Sequence, residues 1–198
     1  MKSIDVKGTL RTETGKKATA ALRKQGGIPC NLYGEKKDKD GKPEAVSFSV
    51  TADEVRNLVY SPDIFCVNLN IDGKECKAVM RELQFHPVTD RLMHVDFLEI
   101  TEDKPIVMEV PIKLNGLAEG VRAGGKLAAN VRSLKVKAPY NAIPEKLDID
   151  VTELGLGKTI KVGELSFEGL EMVTSPSVVV CQVKMTRNAK SAAAAAEA

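Results

Sequence analysis

Two polar residues that could do chemistry, His94 and Asp96, stand two positions apart in a run that is otherwise apolar and ends at Phe97. In a β-strand, the period of two places both of them on one face together with Leu92. A carboxylate can accept a hydrogen bond from a base amine, and an imidazole can donate one or stack, so the pair could read a nucleic-acid base. Catalysis would need a nucleophile or a metal beside the pair, and no Gly-x-Ser-x-Gly or His-Glu-x-x-His pattern is present. A surface His–Asp pair without a ligand is the alternative.

The second candidate is the basic N-terminal segment. Residues 1–42 contain eleven basic and five acidic residues, whereas the whole chain has 29 basic and 27 acidic residues and a net charge of +2. This asymmetry predicts an anionic partner at the N-terminal end and excludes a uniformly basic nucleic-acid binder. In a helix, one arc of this segment would be basic, and the opposite arc, with Ala18, Ala21 and Leu22, could pack. The basic arc would consist of Lys16, Lys17, Ala20, Arg23 and Lys24.

Two further side chains flank this predicted helix. Arg11 precedes it, and Tyr33 follows it after a Gly-Ile-Pro turn. An arginine fork binds phosphate or a guanine edge, while tyrosine stacks on a base or donates a hydrogen bond. The alternative is an ordinary solvated helix face, so the charge pattern alone leaves RNA or DNA binding open.

The cysteine and glycine patterns do not indicate a metal or nucleotide site. The cysteine and histidine residues between Cys66 and His94 are evenly spaced and lack the close pairs typical of zinc ligands. Residues 157–159 resemble the end of a phosphate-binding loop, but Thr152 stands where that loop requires glycine. We therefore expect no metal, no cofactor and no small-molecule substrate, and we expect the four cysteines to be reduced, buried thiols.

The elements that must position these residues are mainly strands. Residues 46–51 and 65–71 alternate apolar and polar residues, Asp72-Gly73 is a strong hairpin signal, and residues 74–80 form the returning strand. Gly26-Gly27 is a signal for the end of a helix that begins near Lys17. Two short helices are predicted, over Lys17–Gln25 and over Ala52–Tyr60.

A polar segment ending at Pro105 predicts a domain boundary near Ile100, and beyond it short β runs separated by glycines predict an all-β domain. We expect one domain over 1–100, a second over 101–185 and a disordered alanine-rich tail over 186–198. No apolar run approaches the roughly 20 residues that span a bilayer, and the start has no secretory signal. A cytoplasmic protein without a membrane partner is therefore expected.

Motifs in both halves of the chain match one known family in the same order. They are Arg11–Ala18, Leu22–Lys24, Ile28–Gly34, Gln84–Pro87, His94–Phe97, Val110–Ile112, Gly120-Val121, Gly124-Gly125, Ile143-Pro144 and Asp150–Leu154. Over residues 1–185 the chain resembles the 5S rRNA-binding family of bacterial large-subunit ribosomal proteins L25, in the long form called Ctc or general stress protein.

The resemblance implies a mainly β fold, with a six-stranded β-barrel and short helices over 1–100 and an elongated all-β domain after it. It implies no catalysis and no cofactor. It implies docking on the loop E region of 5S rRNA within the large ribosomal subunit, beside other rRNA and ribosomal proteins. The RNA contacts that it carries over by position are Arg11, Lys16, Arg23, Tyr33, His94 and Asp96.

One departure from the family concerns the helix. Ala20 and Ala21 stand where many members have arginines, so phosphate contact there is weaker or is supplied by Lys17 and Lys24. Two other interpretations of the chain stay open at this point. One is a free stress-response factor that holds RNA or protein outside the ribosome, and the other is an enzyme that uses His94 and Asp96.

Overall fold

The computed structural model of the protein describes residues 2–37, 43–101 and 104–186. These residues form two compact units that divide between Lys104 and Pro105. Both units consist mainly of strands, which confirms the predicted fold class. The predicted tail, apart from Thr186, lies outside the described residues. The predicted domain bounds, 1–100 and 101–185, remain a prediction.

The first unit is a closed barrel whose strands follow the order β1-β3-β2-β6-β5-β4. The contacts β1–β4 and β2–β6 are parallel, and the other neighbours are antiparallel. The six-stranded barrel implied by the family resemblance is therefore confirmed. Its elements are β1 (Lys2–Leu10), α1 (Lys16–Lys24), β2 (Gly27–Lys37), β3 (Pro43–Thr51), α2 (Ala52–Val59), β4 (Phe65–Ile71), β5 (Lys74–Phe85) and β6 (Leu92–Glu99).

The helices and the hairpin predicted from local patterns are present with small shifts. α1 begins and ends one residue earlier than predicted, and α2 ends one residue earlier. In the β4–β5 turn, Asp72 has φ 47° and Gly73 has φ 88°, as a two-residue turn with both central residues left-handed requires. β5 continues to Phe85, beyond its predicted end, because β6 pairs along its second half.

The core of the barrel is formed by the inward residues of the strands. The rings of Phe48 and Phe97 lie 5.7 Å apart between centroids, and both side chains are fully buried. α2 adds Val55 and Leu58 to the same apolar cluster. Alternate residues of each strand therefore point into the barrel. The residues between them on β2, β3, β5 and β6 form an outer surface.

The second unit contains two sheets and a short helix. One sheet has the order β10-β7-β9-β12, and the other has the order β11-β13-β8. The predicted all-β character is confirmed apart from brief helical turns. Its elements are β7 (Pro105–Asn115), α3 (Glu119–Arg122), β8 (Lys126–Ala129), β9 (Ser133–Pro139), β10 (Leu147–Asp150), β11 (Thr159–Lys161), β12 (Glu171–Met172) and β13 (Val179–Lys184).

Candidate nucleic-acid interface

β6 places His94 and Asp96 on the outside of the barrel, as its alternating pattern predicted. Val95 and Phe97 are fully buried, whereas the side chains of His94 and Asp96 are 20% and 23% exposed. The expectation that Leu92 shares their face was wrong, because Leu92 packs against the core. The register with β5 shifts just there, after Gln84, and this irregularity interrupts the alternation at the start of β6.

Neighbouring strands extend this pair into a polar surface. Asn31 on β2 is paired with Asp96, and Ser47 on β3 is paired with Asn31 and donates its hydroxyl to Asn31 Oδ1 at 3.2 Å. Gln84 on β5 is paired with His94. Tyr33 follows Asn31 by two residues, so it lies on the same face. We call this surface the outer polar face, and it consists of Asn31, Tyr33, Ser47, Gln84, His94 and Asp96.

The outer polar face contains the carboxylate of Asp96 and no lysine or arginine, and the carboxylate of Glu82 lies beside it. The Nδ1 atom of His94 lies 3.4 Å from Oδ1 of Asp96, and Glu82 is paired with Asp96 from β5. Partial burial raises the pKa of Tyr33, and the carboxylates of Asp96 and Glu82 raise it further, against the opposing effect of Arg81. Tyr33 therefore keeps its proton and can donate a hydrogen bond. Carboxylates repel phosphate, so this face is suited to hydrogen-bond donors such as base amines.

Arg11 borders the outer polar face. Its backbone N–H donates to the carbonyl of Ser47 at 2.9 Å, which attaches the segment after β1 to β3. Its guanidinium Nη2 donates to the carbonyl of Glu13 at 3.0 Å. That carbonyl engages one of the five N–H groups of an arginine, and the others remain able to bind phosphate.

The helix α1 carries the other predicted cations. Lys16, Lys17 and Lys24 are exposed, and none of them forms a side-chain hydrogen bond or ion pair with another described residue. The predicted packing arc is only partly correct, because Ala21 is exposed while Leu22 is half-buried. Three lysines of α1 therefore face solvent without a counter-charge from the described part of the chain.

Arg23 differs from these lysines because it fastens α1 to the barrel. Its Nε and Nη2 atoms donate to the carbonyl of Met93 on β6, at 3.1 and 2.9 Å. Gly26, with φ 83°, turns the chain from the end of α1 into β2, and a side chain there would be strained. The helix is thus held beside the strand that carries His94 and Asp96.

Three residues of the outer polar face were missed by the sequence prediction. Asn31, Ser47 and Gln84 are ordinary polar residues, and only the pairing of separate strands brings them beside His94 and Asp96. Two of them did carry a signal. Asn31 alternates with Tyr33, and Gln84 opens a motif that resembles the family.

Catalytic and metal chemistry find no support in the described residues. Within residues 2–37, 43–101 and 104–186, no three His, Cys, Asp or Glu side chains are grouped to hold a metal ion. The four cysteines are free thiols, and burial raises the pKa of Cys30 to about 12, far from a reactive thiolate. Every helix in these ranges is too short or too polar to cross a membrane.

Comparison with known families gives the class of protein. A model described as "Ribosomal L25p family" matches residues 6–97, and a model described as "Ribosomal protein TL5, C-terminal domain" matches residues 105–187. Both models describe ribosomal proteins, which are structural and not enzymatic.

Three curated relatives that match over nearly the full chain are each named large ribosomal subunit protein bL25. The protein from Phocaeicola vulgatus is 63% identical over 196 residues, with 99% of both chains covered. Those from Porphyromonas gingivalis and Parabacteroides distasonis are 57% and 49% identical, with at least 98% of each chain covered. This chain therefore belongs to the L25p family of ribosomal proteins, in the form that carries a second, TL5-type domain.

Proposed function

We propose that this protein is a structural component of the large ribosomal subunit in the cytoplasm and binds the loop E region of 5S rRNA through its N-terminal barrel. The observation that carries the proposal is the position of the outer polar face beside α1, with its unpaired lysines. The names of the curated relatives support the assignment to the subunit.

The two parts of the interface have different tasks in this proposal. Lys16, Lys17 and Lys24, together with Arg11 and Arg23, neutralise phosphates and supply affinity that depends on salt. The outer polar face fits the bases and the local shape of an irregular helix. Asp96 is the informative residue, because an acid in a site for a polyanion is useful only if it accepts from a base amine or orients His94.

Other large-subunit rRNA and ribosomal proteins are the neighbouring partners in this assignment. A free stress-response factor is the alternative, and fractionation of a cell extract on a sucrose gradient separates the two. We expect the protein to sediment with large subunits. A protein that stays at the top of the gradient at low salt would favour the free factor.

The decisive test compares Asp96→Asn with Lys24→Ala in the full chain. Asp96→Asn keeps the shape but replaces one acceptor oxygen by a donor, so we expect it to lose roughly 1–3 kcal/mol of binding to loop E. Its weak binding to a regular RNA duplex should not change. Lys24→Ala removes a phosphate contact, so it should weaken both RNAs about equally and reduce the salt dependence.

Fluorescence-anisotropy titrations against 5S rRNA and a plain duplex measure both effects. A footprint of the parent protein on 5S rRNA provides the matching map of protected nucleotides. If Asp96→Asn binds loop E as tightly as the parent, the outer polar face does not read bases and the proposal for that face is wrong.

A further inference from the structure

A concave surface of the barrel lies next to the outer polar face and contains none of its residues. It is a groove of about 1000 Å³ between α1, α2 and the turn that joins β5 to β6. Its floor contains the start of β2 and of β6, where Met93 accepts the hydrogen bonds of Arg23. We call it the interhelix groove.

Four cations line the interhelix groove, against one acidic residue, Asp90. Arg23 and Lys24 come from α1, Arg56 from α2, and Arg91 from the β5–β6 turn. Among described residues, Lys24, Arg56 and Arg91 form no ion pair, although Lys2 elsewhere in the barrel pairs with Asp63. Because three separate elements each direct an uncompensated cation to one groove, the groove attracts an anion.

The groove is held in shape by its own hydrogen bonds. Arg23 is fixed on the Met93 carbonyl, and that acceptor leaves further N–H groups of the guanidinium available. In the β5–β6 turn, the N–H of His86 donates to the carbonyl of Arg91 at 2.8 Å, and His86 Nδ1 accepts from the N–H groups of Val88 and Thr89. The backbone that carries Arg91 is therefore ordered before any ligand arrives.

An aromatic ring stands at the rim of the groove. Tyr60, directly after α2, lines it and is 68% exposed, which is unusual for a side chain of this size. Exposed aromatic rings beside cations form the platform on which unpaired bases stack while the cations follow the phosphates. A duplex would hide its base faces from such a ring.

We propose that the interhelix groove binds an unpaired stretch of RNA, with phosphates on Arg56 and Arg91 and a base stacked on Tyr60. This contact lies outside the outer polar face and goes beyond the proposed function. A protein partner would need an acidic segment to satisfy the same cations, and it would gain little from the exposed ring. Each nucleotide of an RNA carries a phosphate for the cations and a base for the ring, so RNA fits both features of the groove.

The test uses the full ¹⁵N-labelled chain and hexauridylate as the probe, at low salt. We expect amide shifts at Gly26, Tyr60 and Arg91. The double variant Arg56→Gln/Arg91→Gln should bind about tenfold or more weakly. Tyr60→Ala should bind at least about fivefold more weakly, while Tyr60→Phe keeps the ring and the affinity.

Two controls separate this inference from general charge and from the proposed function. Lys7→Gln/Lys74→Gln removes two exposed cations outside the groove and should leave hexauridylate binding within about twofold of the parent. Asp96→Asn should also leave it unchanged, although we expect that variant to lose loop E binding. The two proposals can therefore fail separately.

Three results would overturn the inference. The first is the absence of hexauridylate binding, and the second is an equal loss in the Lys7→Gln/Lys74→Gln control. The third is tighter binding of hexaglutamate than of hexauridylate at the same amides, which would assign the groove to an acidic protein segment. Circular dichroism of each variant verifies that the fold is intact.

Discussion

The lysines of α1 and those of β9 carry the same charge but differ in what lies beside them. On β9, Lys135 Nζ lies 3.4 Å from Glu109 Oε1, and Lys137 Nζ lies 2.9 Å from Glu171 Oε2. Each glutamate is the direct cross-strand partner of its lysine. On α1, no described carboxylate pairs with Lys16, Lys17 or Lys24.

The number of basic residues in a region therefore does not identify a binding surface. Cross-strand pairs compensate charge within the second unit and add a little stability to its sheet. The lysines of α1 have no ion-pair partner among the described residues, so they remain available to an anion from outside. The ion pairs seen in the structure therefore separate cations that are available to a ligand from cations that are already compensated within a sheet.

The largest expected effect comes from separating the two units. A fragment of residues 1–104 should bind 5S rRNA within about threefold of the full chain, and a fragment of residues 105–186 should bind at least about a hundredfold more weakly. The reason is that the unpaired cations and the outer polar face lie in the first fragment. Anisotropy titrations measure this once circular dichroism has shown that each fragment is folded. Tight binding by the second fragment and not by the first would show that the binding surface lies in the second unit.

Neutralising the lysines of α1 should have the next largest effect. About three to five phosphate contacts predict a slope of about −2 to −4 in log K against log salt for the parent. The triple variant Lys16→Gln/Lys17→Gln/Lys24→Gln should make this slope shallower by roughly 2. Its slope should therefore lie between about −2 and zero. Lys135→Gln/Lys137→Gln removes two paired lysines and is the matched control, with the parental slope. Equal slopes in the two variants would show that pairing does not matter.

Arg23 sharpens the comparison within α1 itself, because its guanidinium is engaged by the Met93 carbonyl. Arg23→Gln should lower the free energy of unfolding by about 1–2 kcal/mol, since a charge-assisted hydrogen bond at a half-buried site is lost. Lys24→Gln should change it by less than about 0.5 kcal/mol. Urea denaturation measures both. Equal stability of the two variants would mean that Arg23 does not fasten the helix.

The smallest expected effect lies in the second unit. The coupling energy between Lys137 and Glu171, from a double-mutant cycle of glutamine variants, should be about 0.2–1 kcal/mol, because both side chains are largely exposed. It should decrease in concentrated salt. Thermal or urea unfolding of the four proteins provides the measurement. A coupling near zero at low salt would show that this pair only neutralises charge.

Local features of the fold were predictable from the sequence. The β4–β5 hairpin depends on two residues that tolerate left-handed backbone, Asp72 and Gly73, and the strand pattern from His94 to Phe97 depends on a period of two. Both helices end close to the residues that the pattern indicated. Each of these signals acts over a few residues, so no knowledge of distant partners was needed.

Other features depend on how distant strands and helices meet. Asn31 joins the candidate site only through its register with Asp96, and a local pattern does not encode the register of separate strands. Arg23 is directed to Met93 by the angle at which α1 lies on the barrel. Leu92 turned inward because the register shifts between Gln84 and Phe85, where β6 contains one extra residue, Met93.

The parallel pairing of Asn31 with Asp96 determines when the outer polar face is completed during synthesis. β2 leaves the ribosome early, and its partner β6 is the last strand of the barrel to be made. Contacts between residues so far apart in sequence form late and slowly. A growing chain therefore exposes the lysines of α1 before its outer polar face is complete. Closure of the barrel by β6 is the folding step that sets this face beside the helix.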